Sequence, residues 1–267
     1  MAMALNARQK GRFFRDGYLS IPGAVPPGLI ASALDEIRRR AKRADGDYLS
    51  LLSSEPALTH LLSKTGLWRL AESLLGEGAV EPCTQAQIAL CFPSAVGERP
   101  VKCHLDSWEA DYDPKAVSRH TLTIGVLLSD VPGELMGNLT VFPGSHRLIA
   151  RRVERHGLQA VRPGLAQTVR KVKPVQITGK KGDAVLLHYQ LGHDKEKNFS
   201  AHTRFMAYFR LYHADAWRDG SEAYLRKAMS DIWLEWPGMG RRKAKASAGN
   251  TARRARAARA RRSTARR

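Results

Sequence analysis

From about Thr84 onward the chain breaks into short apolar or alternating runs, at 85–92, 121–128, 139–142, 184–189 and 203–211, separated by Pro, Gly and polar residues. The run at 203–211 alternates, placing Arg204, Met206, Tyr208 and Arg210 on one face, the period of a strand. Several short strands punctuated in this way predict an antiparallel barrel or jelly roll. No internal repeat accompanies them. The first third reads differently, mainly as helix over 7–82. Pro26-Pro27 can open a helix, and Leu29, Ile30, Ala33, Leu34 and Ile37 follow its period into a basic run ending at Arg43. A second helix is expected over 57–75, with Gly76 as its C-cap. The expected class is therefore mainly β with flanking helices (α+β), with the helical N-terminal region packed outside the β core.

Hydrophobic residues make up 43% of the 267, enough for a globular core. No stretch approaches the roughly 18 apolar residues of a membrane span. The start is polar and charged after Leu5 and lacks a signal peptide's apolar centre. Cys83, Cys91 and Cys103 are odd in number and irregularly spaced, which argues against a disulfide framework and fits a reducing compartment. A three-thiolate zinc site finds no CxxC pair to support it. The chain is therefore expected to be cytoplasmic, with no membrane partner. The net charge of +19 is uneven: residues 241–267 hold 12 Lys/Arg and no acid, leaving 32 basic and 25 acidic residues in the first 240. That tail lacks aromatic and branched aliphatic residues and is expected to be disordered. The predicted organisation is a folded domain over 1–240 and an Arg/Ala-rich basic tail over 241–267.

Two imidazoles and one carboxylate can hold one face of a ferrous ion and leave the opposite positions open. His104 and Asp106 stand two apart, on the same face of a strand. Alone the pattern is weak: 9 His and 13 Asp give about 0.4 such triplets by chance. A second triplet, His213-Ala214-Asp215, has no histidine after it to complete a site. Two residues compete for the third ligand, His188 and His193; five apart, they face opposite ways on a regular strand, and period alone does not choose. The surroundings favour His193, which follows Leu191-Gly192 at an expected strand end, and leave His188 as a wall residue. Arg204 and Arg210, six apart, span about 20 Å of strand. At most one of them is expected to reach a ligand at the metal, where a guanidinium fork pairs well with a carboxylate. The commoner fate of either is an ion pair at the surface or barrel end.

Phe14-Arg15-Asp16-Gly17-Tyr18-Leu19, Cys103-His104-Leu105-Asp106-Ser107-Trp108, Leu127-Leu128-Ser129-Asp130-Val131 followed by Gly137-Asn138-Leu139-Thr140-Val141-Phe142-Pro143-Gly144-Ser145-His146-Arg147, Gly182-Asp183 leading to Leu186-Leu187-His188-Tyr189-Gln190-Leu191-Gly192-His193, and Asn198-x-Ser200 before Arg204 occur in that order. Together they resemble the phytanoyl-CoA dioxygenase (PhyH)-like family of Fe(II)/2-oxoglutarate-dependent oxygenases, from about Phe13 to Trp236. The resemblance implies a double-stranded β-helix (jelly-roll or cupin-like) core. It implies His104, Asp106 and His193 as iron ligands, Arg204 as anchor for the distal carboxylate of 2-oxoglutarate, and O2 as the other co-substrate. It also sets His188 and Arg210 aside. Where the family often has Ser or Thr two residues after the distal histidine, this chain has Lys195, a lysine able to supply charge to the same carboxylate. Related halogenases have Gly or Ala at the position of Asp106, so a carboxylate there implies hydroxylation, desaturation or ring closure rather than chlorination. Pro143-Gly144-Ser145-His146 is expected to be a turn at the barrel rim.

The implied activity is hydroxylation of a C–H bond of a small molecule, with release of succinate and CO2. The loop at 107–119 and the segment 151–181 are expected to overhang the site. The segment holds nine basic residues against Glu154, which fits an anionic substrate and equally a solvated surface. Trp108 is a candidate pocket wall, with core packing the alternative. A rival reading is a nucleic-acid-associated protein whose basic tail binds phosphate backbones, with the oxygenase domain secondary. No base-reading module stands in the first 240 residues. A metal-free binding relative has no reason to keep His104, Asp106, His193 and Arg204 together.

Overall fold

A computed structural model of the chain describes residues 4–40, 48–94, 102–106, 120–215 and 222–236. In chain order the elements are α1 (Ala7–Asp16), β1 (Tyr18–Ile21), α2 (Pro27–Arg40), β2 (Tyr48–Ser53), α3 (Pro56–Ser63), α4 (Leu67–Leu75), β3 (Ala86–Cys91) and β4 (Leu122–Leu127). There follow β5 (Leu139–Val141), α5 (Ser145–His156), α6 (Val161–Val169), β6 (Val175–Gln176), β7 (Ala184–His188), β8 (His193–Lys195), β9 (Arg204–Leu211) and α7 (Glu222–Ser230).

Six strands form one sheet in the order β1-β7-β4-β9-β3-β2, and three form a second in the order β6-β5-β8; the paired strands are antiparallel. The two sheets make the double-stranded β-helix. Alternation along the strands sorts the side chains between two apolar layers. Phe209 and Leu211 of β9, Ile124 of β4 and Leu186 of β7 join the core shared with the helices. Met206 of β9, Val185 and Leu187 of β7, and Leu139 and Val141 of β5 fill the space between the sheets.

The five predicted runs became β3, β4, β5, β7 and β9. The expectation of helix across the N-terminal region needs correcting at two places. Gly17, at φ 80°, caps α1 in the left-handed conformation, and the next four residues pair with β7. Residues 48–53 pair with all of β3. These two strands are the edges of the larger sheet. A short apolar run has no decisive period, and the open edge of a neighbouring strand settled both. The helix expected over 57–75 is two helices, since Thr65 and Gly66 interrupt it; the Thr65 hydroxyl donates to Leu61 O at 2.9 Å. The end of α5 and all of α6 lie within the segment 151–181. Among the described residues no helix is long and apolar enough to cross a membrane.

The C-terminal part of the described chain closes over the end of β7. His188 Nε2 lies 2.9 Å from Ile232 O, and the Tyr189 hydroxyl donates to Ala228 O at 2.6 Å. His146 is fully buried here, its ring 5.1 Å from His188 and 5.7 Å from Trp233. Burial holds its pKa down at about 4, against the opposing pull of the Phe14 carbonyl. Between its ordinary 6.5 and about 4 the unfolded chain binds a proton that the native chain refuses. Stability therefore falls as pH drops through that window, by up to about 3 kcal/mol from this group. Thermal melts of wild type and His146→Gln across pH 7 to 4 check this; the variant should lose less stability over the interval.

Candidate metal centre

His104 and His193 face one another across a short antiparallel bridge. Their backbone N–H groups donate to each other's carbonyl oxygens at 2.9 and 3.1 Å, and the ring centroids are 4.5 Å apart. Asp106 turns its carboxylate to the same point, with Oδ1 3.5 Å from His193 Nε2. One ligand atom from each of the three lies within 4.8 Å of the others, the only such trio of His, Cys, Asp or Glu among the described residues. The second triplet stands apart: His213 bridges Val80, and its Nδ1 accepts the Asp215 N–H at 3.0 Å.

The surrounding chain fixes these positions. Ser145 Oγ accepts the Gly192 N–H at 2.8 Å, and the Phe142 N–H donates to Gly192 O at 2.9 Å. The expected turn spans only Pro143-Gly144, with Ser145 and His146 opening α5, and Phe142 and Ser145 on either side of it clamp the residue before His193. A Cβ on Gly192 would lie 2.4 Å from Cys103 Sγ, so only glycine lets the two ligand-bearing segments approach. His193 Nδ1 is 2.9 Å from Leu191 O. That carbonyl takes the Nδ1 hydrogen and turns Nε2 towards Asp106, the orientation a metal ligand needs.

Charge is concentrated on Asp106. Arg210 donates to its Oδ2 from Nε at 3.1 Å, with a second guanidinium nitrogen 3.0 Å away, and Gln87 accepts from the same guanidinium. Burial pushes the Asp106 pKa up, but the hydrogen bond from His193 and the charges of His193, His120 and Arg210 prevail and hold it well below the usual carboxylate range. Burial lowers the pKa of His193, and Asp106 overcomes it and raises it. Both shifts favour a proton shared between Asp106 and His193 at the point where a divalent cation would bind, so metal affinity should weaken with acidity as protons compete. An anionic oxygen beside two imidazole nitrogens is a donor set suited to ferrous iron.

Arg204 is 3% exposed and lines the same cavity of about 540 Å³. Its Nε donates to Gly137 O at 2.6 Å and a terminal nitrogen to Ala89 O at 3.0 Å; no carboxylate among the described residues pairs with it. A buried guanidinium in a cavity without a carboxylate partner fits an anionic ligand. Lys195 also lines the cavity, its Nζ 4.6 Å over the Tyr48 ring. Arg210 shares the cavity, since it runs along β9, but its guanidinium is engaged by Asp106. His188 lines the cavity, but its Nδ1 accepts the Gln190 N–H at 3.1 Å and its ring stacks on Trp236. Trp108 and the loop at 107–119 lie outside the described residues.

The sequence profile of the phytanoyl-CoA dioxygenase (PhyH) family matches residues 13–206, a span that includes all three members of the trio and Arg204. The chain belongs to this family. It is an Fe(II)- and 2-oxoglutarate-dependent oxygenase, as the family and the donor set together require. No curated protein sequence matched the chain. Solved structures share the fold at low identity. The epimerase SnoN, in complex with Fe3+, alpha ketoglutarate and nogalamycin RO, is 23% identical, with a TM-score of 0.60 over 82% of this chain and 88% of its own. HygX from Streptomyces hygroscopicus, with nickel and 2-oxoglutarate bound, is 18% identical, with a TM-score of 0.57 over 80% and 89%. EctD from S. alaskensis, with 2-oxoglutarate and 5-hydroxyectoine, is 23% identical, with a TM-score of 0.56 over 79% and 76%.

Several contributors to the site were missed in the sequence. Asp194 is 4% exposed; it accepts the Lys102 N–H at 2.6 Å and the Lys195 N–H at 2.9 Å, and lies 3.7 Å from His104 Nδ1. His120 Nε2 is 4.0 Å from Asp106 Oδ2 and 2.7 Å from Thr123 Oγ1. Tyr48 and Ser50 reach the cavity from β2, the unexpected strand. Adjacency to His193 was the one available signal for Asp194; the others come from strand pairing.

Proposed function

We propose that His104, Asp106 and His193 hold Fe(II), that Arg204 anchors the distal carboxylate of 2-oxoglutarate with Lys195 beside it, and that the enzyme hydroxylates a C–H bond of a small molecule. The observation that carries this is the trio of ligand atoms in a cavity that also holds a buried guanidinium without a carboxylate partner among the described residues. When bound, iron, 2-oxoglutarate and O2 supply the oxidising power, with succinate and CO2 as co-products. The chain's own part is positional. The Leu191 carbonyl fixes His193, Arg210 holds one oxygen of Asp106 while the other faces His193, and Arg204 fixes the co-substrate's far end. Incubation with Fe(II), 2-oxoglutarate and a panel of small molecules should give succinate and a product 16 Da heavier. Absence of both metal binding and succinate release would overturn the reading. Similar folds include a carbocyclase and an epimerase, so the product mass decides between hydroxylation and ring closure.

Residues 241–267 lie outside the described residues. We propose that they form a separate basic tail that binds polyanions without sequence preference, on the strength of 12 basic residues and no acid. A chain ending at Gly240 should keep its turnover and lose salt-sensitive retention on duplex DNA. Unchanged retention would end that proposal. A cytoplasmic location fits the three cysteines, none of them in a disulfide; cell fractionation placing the protein elsewhere would contradict it.

A further inference from the structure

Arg210 meets Asp106 through one oxygen only. A guanidinium facing a carboxylate commonly forks, with one N–H to each oxygen. Here Nε at 3.1 Å and Nη2 at 3.0 Å both converge on Oδ2, and Oδ1 is left facing His193 Nε2 at 3.5 Å. The remaining guanidinium nitrogen, Nη1, donates to Gln87 Oε1. That bond fixes the rotation of the guanidinium plane, and with it the carboxylate oxygen that Nε and Nη2 can reach.

Gln87 is itself held. Its Nε2 donates to Ser50 Oγ at 2.7 Å, and the Ser50 hydroxyl bonds the Tyr48 phenol. Arginine only donates, so the amide turns its oxygen to Arg210 and its nitrogen to β2. Strand register brings these side chains together. Gln87 of β3 stands opposite Leu52 of β2 and Tyr208 of β9, so Ser50 and Arg210 are its diagonal neighbours. Tyr48, Ser50, Gln87, Arg210 and Asp106 all line the cavity of the metal centre. A polar chain thus crosses three strands and ends on a carboxylate of the trio.

We infer that Gln87 is a positioning residue for the metal centre: through Arg210 it selects Oδ1 of Asp106 as the oxygen offered to the ion, and Ser50 sets the orientation of its amide. Both polar ends of that amide are spent on protein partners and Gln87 carries no charge, so its influence on the ion runs through Arg210. The inference rests on the iron-site reading for what Oδ1 receives. It does not rest on that reading for the hold on Arg210.

Co(II) titration of the full chain, read by its d–d absorption, tests this with Gln87→Met, which keeps the side chain's length and lacks the amide. Co(II) affinity should fall by about 10-fold, the lower end for an outer partner of a metal ligand. The absorption band should also change, because an Asp106 free to present either oxygen gives a different donor geometry. Added to Arg210→Met, Gln87→Met should alter Co(II) affinity by no more than about 2-fold, whatever Arg210→Met does alone by removing a charge. Ser50→Ala, at an exposed position, should cost about 3-fold in the wild-type background and nothing further beside Gln87→Met; it carries the same test should Gln87→Met fail to fold. In metal-free protein the Arg210 Nε–H resonance should be sharp in wild type and broadened in Gln87→Met. Wild-type Co(II) affinity and spectrum in both Gln87→Met and Ser50→Ala, or an unchanged Arg210 resonance, would overturn the inference. So would a full loss from Gln87→Met in the Arg210→Met background, which would mean that Gln87 only supports the sheet. Absence of Co(II) binding in wild type, with the resonance contrast intact, would instead sink the iron-site reading and leave the hold of Gln87 on Arg210 standing.

Discussion

Asp106→Ala is expected to reduce succinate formation by at least about 1,000-fold, equivalent to about 4 kcal/mol of lost transition-state stabilisation. The carboxylate is the only anionic member of the trio. Without it, two neutral imidazoles remain to hold a divalent cation beside the Arg210 guanidinium, which then has no counter-charge at that point. Removing one partner of a buried pair leaves the other's charge uncompensated, and here that charge repels the metal directly. Fe(II) or Co(II) affinity should fall by at least about 100-fold, more than loss of an outer partner of a ligand would cause. The fold should survive, because the Arg210 side chain is 30% exposed and can turn to water. Near-identical melting curves for variant and wild type in the absence of metal would separate loss of the site from loss of structure. Metal titration followed by a succinate assay checks the prediction; a variant that still binds iron and turns over would remove Asp106 from the ligand set.

The site and its sheet were not equally legible in the sequence. The central strands β4 and β7 are buried on both faces and β9 alternates over most of its length, so their composition announces them. The edge strands β1 and β2 were hidden because an edge is decided by its neighbour's open hydrogen bonds rather than by its own residues. That gap carried over to the site, where β2 supplies Tyr48 and Ser50 to the cavity. Strand parity left His188 and His193 undecided as the third ligand. The structure shows the difference in their partners: His188 gives its nitrogens to the backbone at Ile232 and Gln190, whereas His193 commits only Nδ1 to Leu191 and keeps Nε2 towards Asp106. Arg204 and Arg210 present a similar contrast. Both stand on one face of β9, and sequence alone could not say that Arg210 would be taken by Asp106 while Arg204 meets only carbonyl oxygens. Such distinctions depend on long-range contacts, which no local pattern encodes.

That contrast predicts the behaviour of Arg204. Its Nε and one terminal nitrogen are spent on Gly137 and Ala89 carbonyl oxygens, which fixes the plane of the guanidinium but leaves its charge to be met by a ligand. Arg204→Leu removes both the charge and the fork, and 2-oxoglutarate affinity should fall by at least about 100-fold, or about 3 kcal/mol, the upper range for a hydrogen bond to a charged group. Arg204→Lys keeps the charge, but an ammonium cannot hold two carbonyls and a carboxylate in one plane, so a loss of about 10-fold is expected. The ordering of wild type, Lys and Leu is the informative result, since a purely structural arginine would give two variants equally impaired. Metal binding should be unaffected in both, because the Arg204 side chain hydrogen-bonds to the Gly137 and Ala89 carbonyl oxygens rather than to the trio. Glutarate, which has the same two carboxylates without the keto group, gives an independent readout. It should compete with 2-oxoglutarate in wild type and lose that ability in Arg204→Leu. If Lys195 were the main anchor, Lys195→Met would show the larger loss and Arg204→Leu the smaller, and the assignment would pass from β9 to β8.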